Sequence, residues 1–168
     1  MSSKPTIIIV TCDAWPALFA SDQTFRAALE AKGASVIVAP WQAADFWQTA
    51  GDADAIVVRA AWDYPLHVDR FHGWLECAGQ SQTPVMNAPT LMRWNADKRY
   101  VLDLARRGVP TPATILIGQP SQAEEAFTEL GADVAVIKPC HGASGRGVEK
   151  VNRASALAYL ETNGGQGR

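Results

Sequence analysis

The residues best suited to chemistry lie in one stretch, Val136-Ile137-Lys138-Pro139-Cys140-His141-Gly142-Ala143-Ser144-Gly145-Arg146-Gly147. An apolar run ends in a lysine, and a loop with three glycines and a serine follows. Glycine tolerates positive φ and close backbone approach, so N–H groups in such a loop can turn together toward phosphate oxygens. Lys138 adds a compact positive charge beside them. The order is not that of a P-loop, because the lysine precedes the glycines, and it is not G-x-G-x-x-G. Read alone, the stretch also fits a flexible hairpin loop with a surface lysine.

Two other groups stand out. Asn95-Ala96-Asp97-Lys98 opens a stretch that reads as a helix over 97–107, closed by Gly108-Val109-Pro110-Thr111-Pro112. A lysine in the first turn of a helix opposes the helix dipole. Lys98 there calls for an anion, or else it is a solvated lysine. The second group is Val57-Val58-Arg59-Ala60-Ala61-Trp62-Asp63-Tyr64. Arg59 falls just past an apolar strand, at the carboxyl edge where open α/β sheets bind ligands. A guanidinium there can hold a carboxylate with two hydrogen bonds. Asp63 can receive an ammonium, and Tyr64 can donate a hydrogen bond. The alternative is an Arg59–Asp63 ion pair with Trp62 plugging the core.

The elements that must position these residues read as alternating strands and helices. Residues 6–10, 35–39, 55–58 and 85–86 are short apolar strands. Helices are expected over 21–32, capped by Ser21 and stopped by Gly33, over 43–49 and over 68–78. This alternation predicts an α/β fold with a mostly parallel sheet. After a change of character near Pro89, strands are expected at 113–117, 134–138 and 147–151. Helices are expected from a Ser121-Gln122-Ala123-Glu124 capping box to about Leu130, and over 154–160. Residues 163–168 read as a flexible tail. The second half resembles the beginning of a domain whose remainder lies elsewhere.

Composition narrows the function classes. The chain has 168 residues, 48% apolar and 19% charged, which suits a globular chain of about one domain or slightly more. A net charge of −2 gives no reason to bind nucleic acid or an anionic membrane. The longest aliphatic run is far shorter than a membrane span or a signal-peptide core, so a cytoplasmic location is expected. Cys12, Cys77 and Cys140 are odd in number and widely spaced, which suits reduced thiols rather than disulfides or zinc. Cys140 and His141 lack a visible catalytic partner. The six tryptophans read as packing residues.

Taken together, Asn95-x-Asp97-Lys98, Leu104-x-x-x-Gly108-Val109-Pro110-x-Pro112, Val136-Ile137-Lys138-Pro139 and Gly142-Ala143-Ser144-Gly145-x-Gly147 resemble the ATP-grasp superfamily of carboxylate–amine ligases. The stretch from Val57 to Tyr64, with Phe71-x-x-Trp74-Leu75, is similar to the branch containing the cycloserine-biosynthesis cyclo-ligase and glutathione synthetase. The resemblance implies a Rossmann-like pre-ATP-grasp domain over 1–94, which binds substrate. It implies an incomplete small ATP-grasp subdomain over 95–168. It further implies that Lys98, Lys138, Gly142, Ala143, Ser144, Gly145 and Gly147 contact ATP, and that Arg59, Asp63 and Tyr64 contact the substrate.

The reaction so implied uses ATP and Mg2+ to join a small carboxylate to an amine through an acylphosphate. The family's acidic metal ligands come well after the Gly-rich loop, so they are expected beyond Arg168, and the 168 residues by themselves are expected to be inactive. No catalytic residue is identifiable within them. A non-catalytic nucleotide- or metabolite-binding module remains the alternative. So does an interaction domain whose exposed strand edges pair with another chain, including a homodimer.

Overall fold

The apolar runs of the first half become strands because each finds a parallel neighbour to take its backbone hydrogen bonds. The computed structural model describes residues 4–163, in two units that divide between Arg93 and Trp94. In the first unit β1 is Thr6–Thr11, β2 Ser35–Pro40, β3 Ala55–Val58 and β4 Val85–Met86. All pairs are parallel, in the order β2-β1-β3-β4. Parallel neighbours require crossovers, which α1 (Ala20–Ala31), α2 (Phe46–Gly51) and α3 (Val68–Gln80) supply. The expected mostly parallel α/β fold is therefore present. Ile8 and Val10 of β1, and Cys12 just past it, pack with Trp41, Phe46, Ile56, Phe71, Trp74 and Leu75. Phe71 and Trp74 stack at 5.8 Å, and Trp41 meets Phe71 edge-on at 5.3 Å.

In the second unit α5 is Tyr100–Arg106, α6 Ala123–Leu130 and α7 Arg153–Asn163. Strands β5 (Val134–Ile137) and β6 (Glu149–Asn152) form an antiparallel pair. Phe127, Val151, Ala156 and Leu160 form its core, with Ala135 and Ile137 packed against them. The pair covers one face only: Val134 and Val136 on the other are 48% and 55% exposed.

Several local expectations change. Ser21 does not cap α1; it lies inside the helix, which begins at Ala20 after an extended Phe19. The second helix starts at Phe46 rather than residue 43. A helix α4, Pro89–Ala96, was not expected, although Pro89 is a normal first helical residue. The stretch 97–107 is helical only over α5, so Lys98 sits in the turn before it and not in its first turn. Residues 113–117 are in no strand. A strand needs a neighbour to take its backbone hydrogen bonds, and an apolar, β-branched sequence cannot supply one. The capping box before α6 is made by Gln119 and Gln122 instead of Ser121 and Glu124. Gln122 Oε1 accepts the N–H groups of Gly118 at 2.8 Å and Gln119 at 3.0 Å. Asn163 ends α7, and the rest of the expected tail, 164–168, lies outside the described residues.

Phe46 is 1% exposed among aromatic neighbours. Phe46→Ala should cost about 3–5 kcal/mol in urea denaturation. Leu157→Ala, on a side chain 44% exposed, should stay within about 0.5 kcal/mol.

Candidate functional site

The Gly-rich loop is built by two overlapping turns between β5 and β6. Arg146 N–H donates to Ala143 O at 3.1 Å, and Val148 N–H to Gly145 O at 3.1 Å. The turns place Ser144, Gly145 and Gly147 at φ of +54°, +73° and +70°. Among the described residues nothing accepts from the N–H groups of Gly142, Ala143, Ser144, Gly145 or Gly147. Five donors free of internal partners on an αL-rich loop are the makings of an anion cradle. Lys138 follows β5 directly and is exposed at the entrance to this loop.

Lys98 reaches the same loop from the turn before α5. Its backbone N–H donates to Cys140 O at 2.8 Å, and its Nζ to Gly142 O at 2.6 Å. The structure thus brings Lys98, Lys138 and the glycine loop together. Burial depresses the Lys98 pKa, and the neighbouring charge of Lys138 depresses it further. Both effects disfavour a second ammonium in this corner, and an anion would relieve both. The nearby Asp97 charge offsets part of this, but its ion pair goes to Arg99. Burial pushes the Asp97 carboxyl up, but the hydrogen bonds from Arg99 outweigh this and hold it below its usual value. His141 Nε2 stands 4.0 Å from Asp97 Oδ2. Pro139 packs under the loop: a Cβ on Gly142 would lie 3.0 Å from its ring and 3.3 Å from Lys98 Nζ.

The other sequence candidates lie in the first unit. Strand order changes direction between β1 and β3, which makes the crevice beyond their carboxyl ends the expected ligand position. Arg59 follows β3 there. Its partner is Asp22 of α1, not Asp63: Arg59 Nε and Nη2 donate to Asp22 Oδ1 at 3.0 and 2.7 Å. The guanidinium also lies 5.3 Å over Phe25. Asp63 is buried, with Trp41 Nε1 donating to one oxygen at 2.8 Å and Gln42 Nε2 to the other at 2.6 Å. Gln42 Oε1 in turn accepts from Asp13 N–H at 3.1 Å. Tyr64 is half-buried, its ring 5.2 Å from Phe71. Trp62 does not plug the core; it is 41% exposed.

Sequence reading missed Asp22, Trp41 and Gln42. Asp22 carries only the ordinary signal of an acid in a first helical turn, and its pairing spans 37 residues. Trp41-Gln42 after Pro40 reads as the end of a strand. Among the described residues no group of His, Cys, Asp and Glu could hold a metal ion. No helix there is long and apolar enough to cross a membrane.

Residues 7–87 match the family described as D-cycloserine synthetase DcsG, N-terminal domain. The cycloserine biosynthesis protein DcsG of Streptomyces lavendulae is 30% identical over 122 residues, which are 66% of this chain and 40% of that protein. The crystal structure of D-cycloserine synthetase DcsG superimposes with a TM-score of 0.79 at 23% identity, over 96% of this chain and 56% of that one. Residues 7–87 of the first unit are thus similar to a DcsG-type N-terminal domain. A RimK domain protein ATP-grasp from Sphaerobacter thermophilus shares the fold, with a TM-score of 0.72 at 22% identity over 96% of this chain and 61% of that one. The chain therefore spans less than two thirds of the length of the relatives it matches.

Two sets of substitutions test these assignments. Asp63→Asn keeps the size but sets an amide N–H against Gln42 Nε2. Flipping Gln42 would repair that contact and break the one to Asp13. The variant should lose about 1–3 kcal/mol of stability in thermal or urea unfolding. In the loop, Gly145→Ala and Gly147→Ala both place a side chain at positive φ, worth about 1–2 kcal/mol. Gly147→Ala should cost more, because its Cβ would also meet Pro139 at 3.3 Å while Gly145 faces open space.

Proposed function

We propose that the chain forms part of an ATP-dependent ligase that joins a small carboxylate to an amine. The observation that carries this reading is the loop of unpartnered backbone N–H groups flanked by Lys98 and Lys138, on a chain with the ATP-grasp fold. Similarity to DcsG, whose name is D-cycloserine synthetase, supports the choice of a ligase acting on amino-acid-sized substrates.

Lys98, Lys138 and the N–H groups of Gly142, Ala143, Ser144, Gly145 and Gly147 suit the phosphates of ATP, because all are donors and the adjacent acid, Asp97, is paired with Arg99. ATP supplies the phosphoryl group that activates the acid as an acylphosphate; the amine nitrogen then adds to the carbonyl carbon and phosphate leaves. The chain's own contribution is to position and to neutralise. Lys138 offsets negative charge that spreads over the transferring group. Lys98 gives up its bond to the Gly142 carbonyl for a stronger, charge-assisted bond to an anion. The loop covers the reacting group and keeps water from it. Arg59 holds the carboxylate of the acid. Asp63 acts through the loops it ties together. The described residues hold no acidic cluster that fits Mg2+, so no step is assigned to that ion.

The test is steady-state kinetics on the full-length protein, with each substrate varied in turn. Release of ADP should require both an acid and an amine. Lys138→Ala should raise the KM for ATP and lower kcat, by about 2–4 kcal/mol in kcat/KM, typical of one lost charge-stabilising group. Nucleotide binding with no acid-dependent ADP release would favour the non-catalytic binding module instead.

A further inference from the structure

Arginine has five N–H donors in one plane. Arg59 spends its side edge, Nε and one N–H of Nη2, on a single oxygen of Asp22. Phe25 covers one face of the guanidinium. No partner is found among the described residues for the end-on pair, one N–H each from Nη1 and Nη2, and the side chain is 43% exposed. Asp22, by contrast, is 3% exposed and anchored in the first turn of α1. A buried carboxylate and an aromatic ring thus fix the guanidinium plane and leave the fork best matched to a carboxylate facing outward.

The surroundings suit such a ligand. Arg59 stands at the reversal of strand order, beyond the carboxyl ends of β1 and β3. Ala60 N–H still donates to Val10 O at 3.0 Å, so the backbone that carries Arg59 is tied to the sheet. Trp15, Phe19 and Trp62, on the loops at this same edge, are 43%, 48% and 41% exposed. They offer apolar surface to a short carbon skeleton.

The geometry points to Asp22 as the positioning residue of a carboxylate site on Arg59: it turns the end-on guanidinium fork toward a small organic acid at the switch point of the sheet. The inference rests on the ligase reading for the identity of that acid as a substrate. The site itself needs no nucleotide and is tested without one.

The test is a titration of the isotope-labelled chain with sodium propionate, followed at the backbone amide signals of Ala60, Ala61 and Trp62. Sodium chloride at equal ionic strength and propylamine serve as controls. Propionate should shift these signals saturably, and the two controls should not. Asp22→Asn keeps an acceptor near Arg59 but removes the charge that orients it, and should weaken propionate by about tenfold. Arg59→Lys keeps the ion pair with Asp22 and lacks the fork. It should keep the melting temperature near that of the parent and abolish the shifts. Loss of binding in Arg59→Lys decides the carboxylate site; if Asp22→Asn does not fold, Asp22→Glu, which keeps the charge but moves it by one methylene, tests the role of Asp22 and should likewise weaken propionate. Absence of saturable shifts in the parent chain, or binding unchanged in Arg59→Lys, overturns the site. Binding that persists at full strength in a folded Asp22→Asn overturns the role of Asp22. Propionate binding together with no ADP release by the full-length protein would leave the site standing and remove the ligase reading.

Discussion

A single buried carboxylate organises the edge of the first unit. Asp63 takes hydrogen bonds from Trp41 and Gln42, just past β2, while itself lying just past β3. Gln42 passes the constraint to Asp13, just past β1. Three loops that leave neighbouring strands are thus joined through one side chain. Such a charge is tolerated only because both oxygens are satisfied; an unpaired buried carboxylate would cost several kcal/mol. Because the cost of separation is high, the loops are held in one arrangement, and Arg59, four residues before Asp63, starts from a fixed backbone. The ring of Trp41 is itself held by Phe71 and by the guanidinium of Arg70 at 5.4 Å, so the polar tie rests on the aromatic core beneath it.

The second unit follows the opposite logic. Its loop between β5 and β6 keeps its backbone donors unspent, and among the described residues Lys98 and Lys138 form no ion pair. Asp97, the nearest acid in sequence, is committed to Arg99. A fold can afford exposed, unpaired donors where water reaches them, and most of this loop is exposed. The chain therefore carries two kinds of polar site: one fully satisfied and rigid, and one unsatisfied and open to an anion.

What was legible in the sequence follows from how local each signal is. β3 and β4 were read to the residue, and β1, β2 and β5 to within one, because short β-branched runs between helical patterns have few other readings. The Gly-rich loop and its lysines were legible for a similar reason, since their spacing is contained within a dozen residues. The failures needed information from elsewhere in the chain. Residues 113–117 have strand-like composition but find no partner. The expected helix over 97–107 is longer than the real one because Asp97 and Lys98 have helical composition, while Asp97 Oδ1 accepts instead from the backbone N–H of Arg99. Asp63 and Arg59, close in sequence and opposite in charge, suggested each other. Each found a better partner at 21 to 37 residues' distance, brought near by the sheet order.

The Lys98 contact holds the loop in shape through a neutral carbonyl. A neutral carbonyl gives an ammonium a weaker hydrogen bond than an anionic oxygen does. Lys98 makes the weaker bond to Gly142 in a half-buried place beside Lys138, and its pKa falls in consequence. The loop is thus tied at Cys140 and Gly142 to a group that would gain from leaving. An anion arriving between the two lysines would replace the poorer bond, cancel their repulsion and engage the free N–H groups in the same step. Each of these gains raises the anion's affinity, and by linkage each stabilises the ordered loop when the anion is bound. The repulsion between Lys98 and Lys138 thus works in favour of any anion that reaches both.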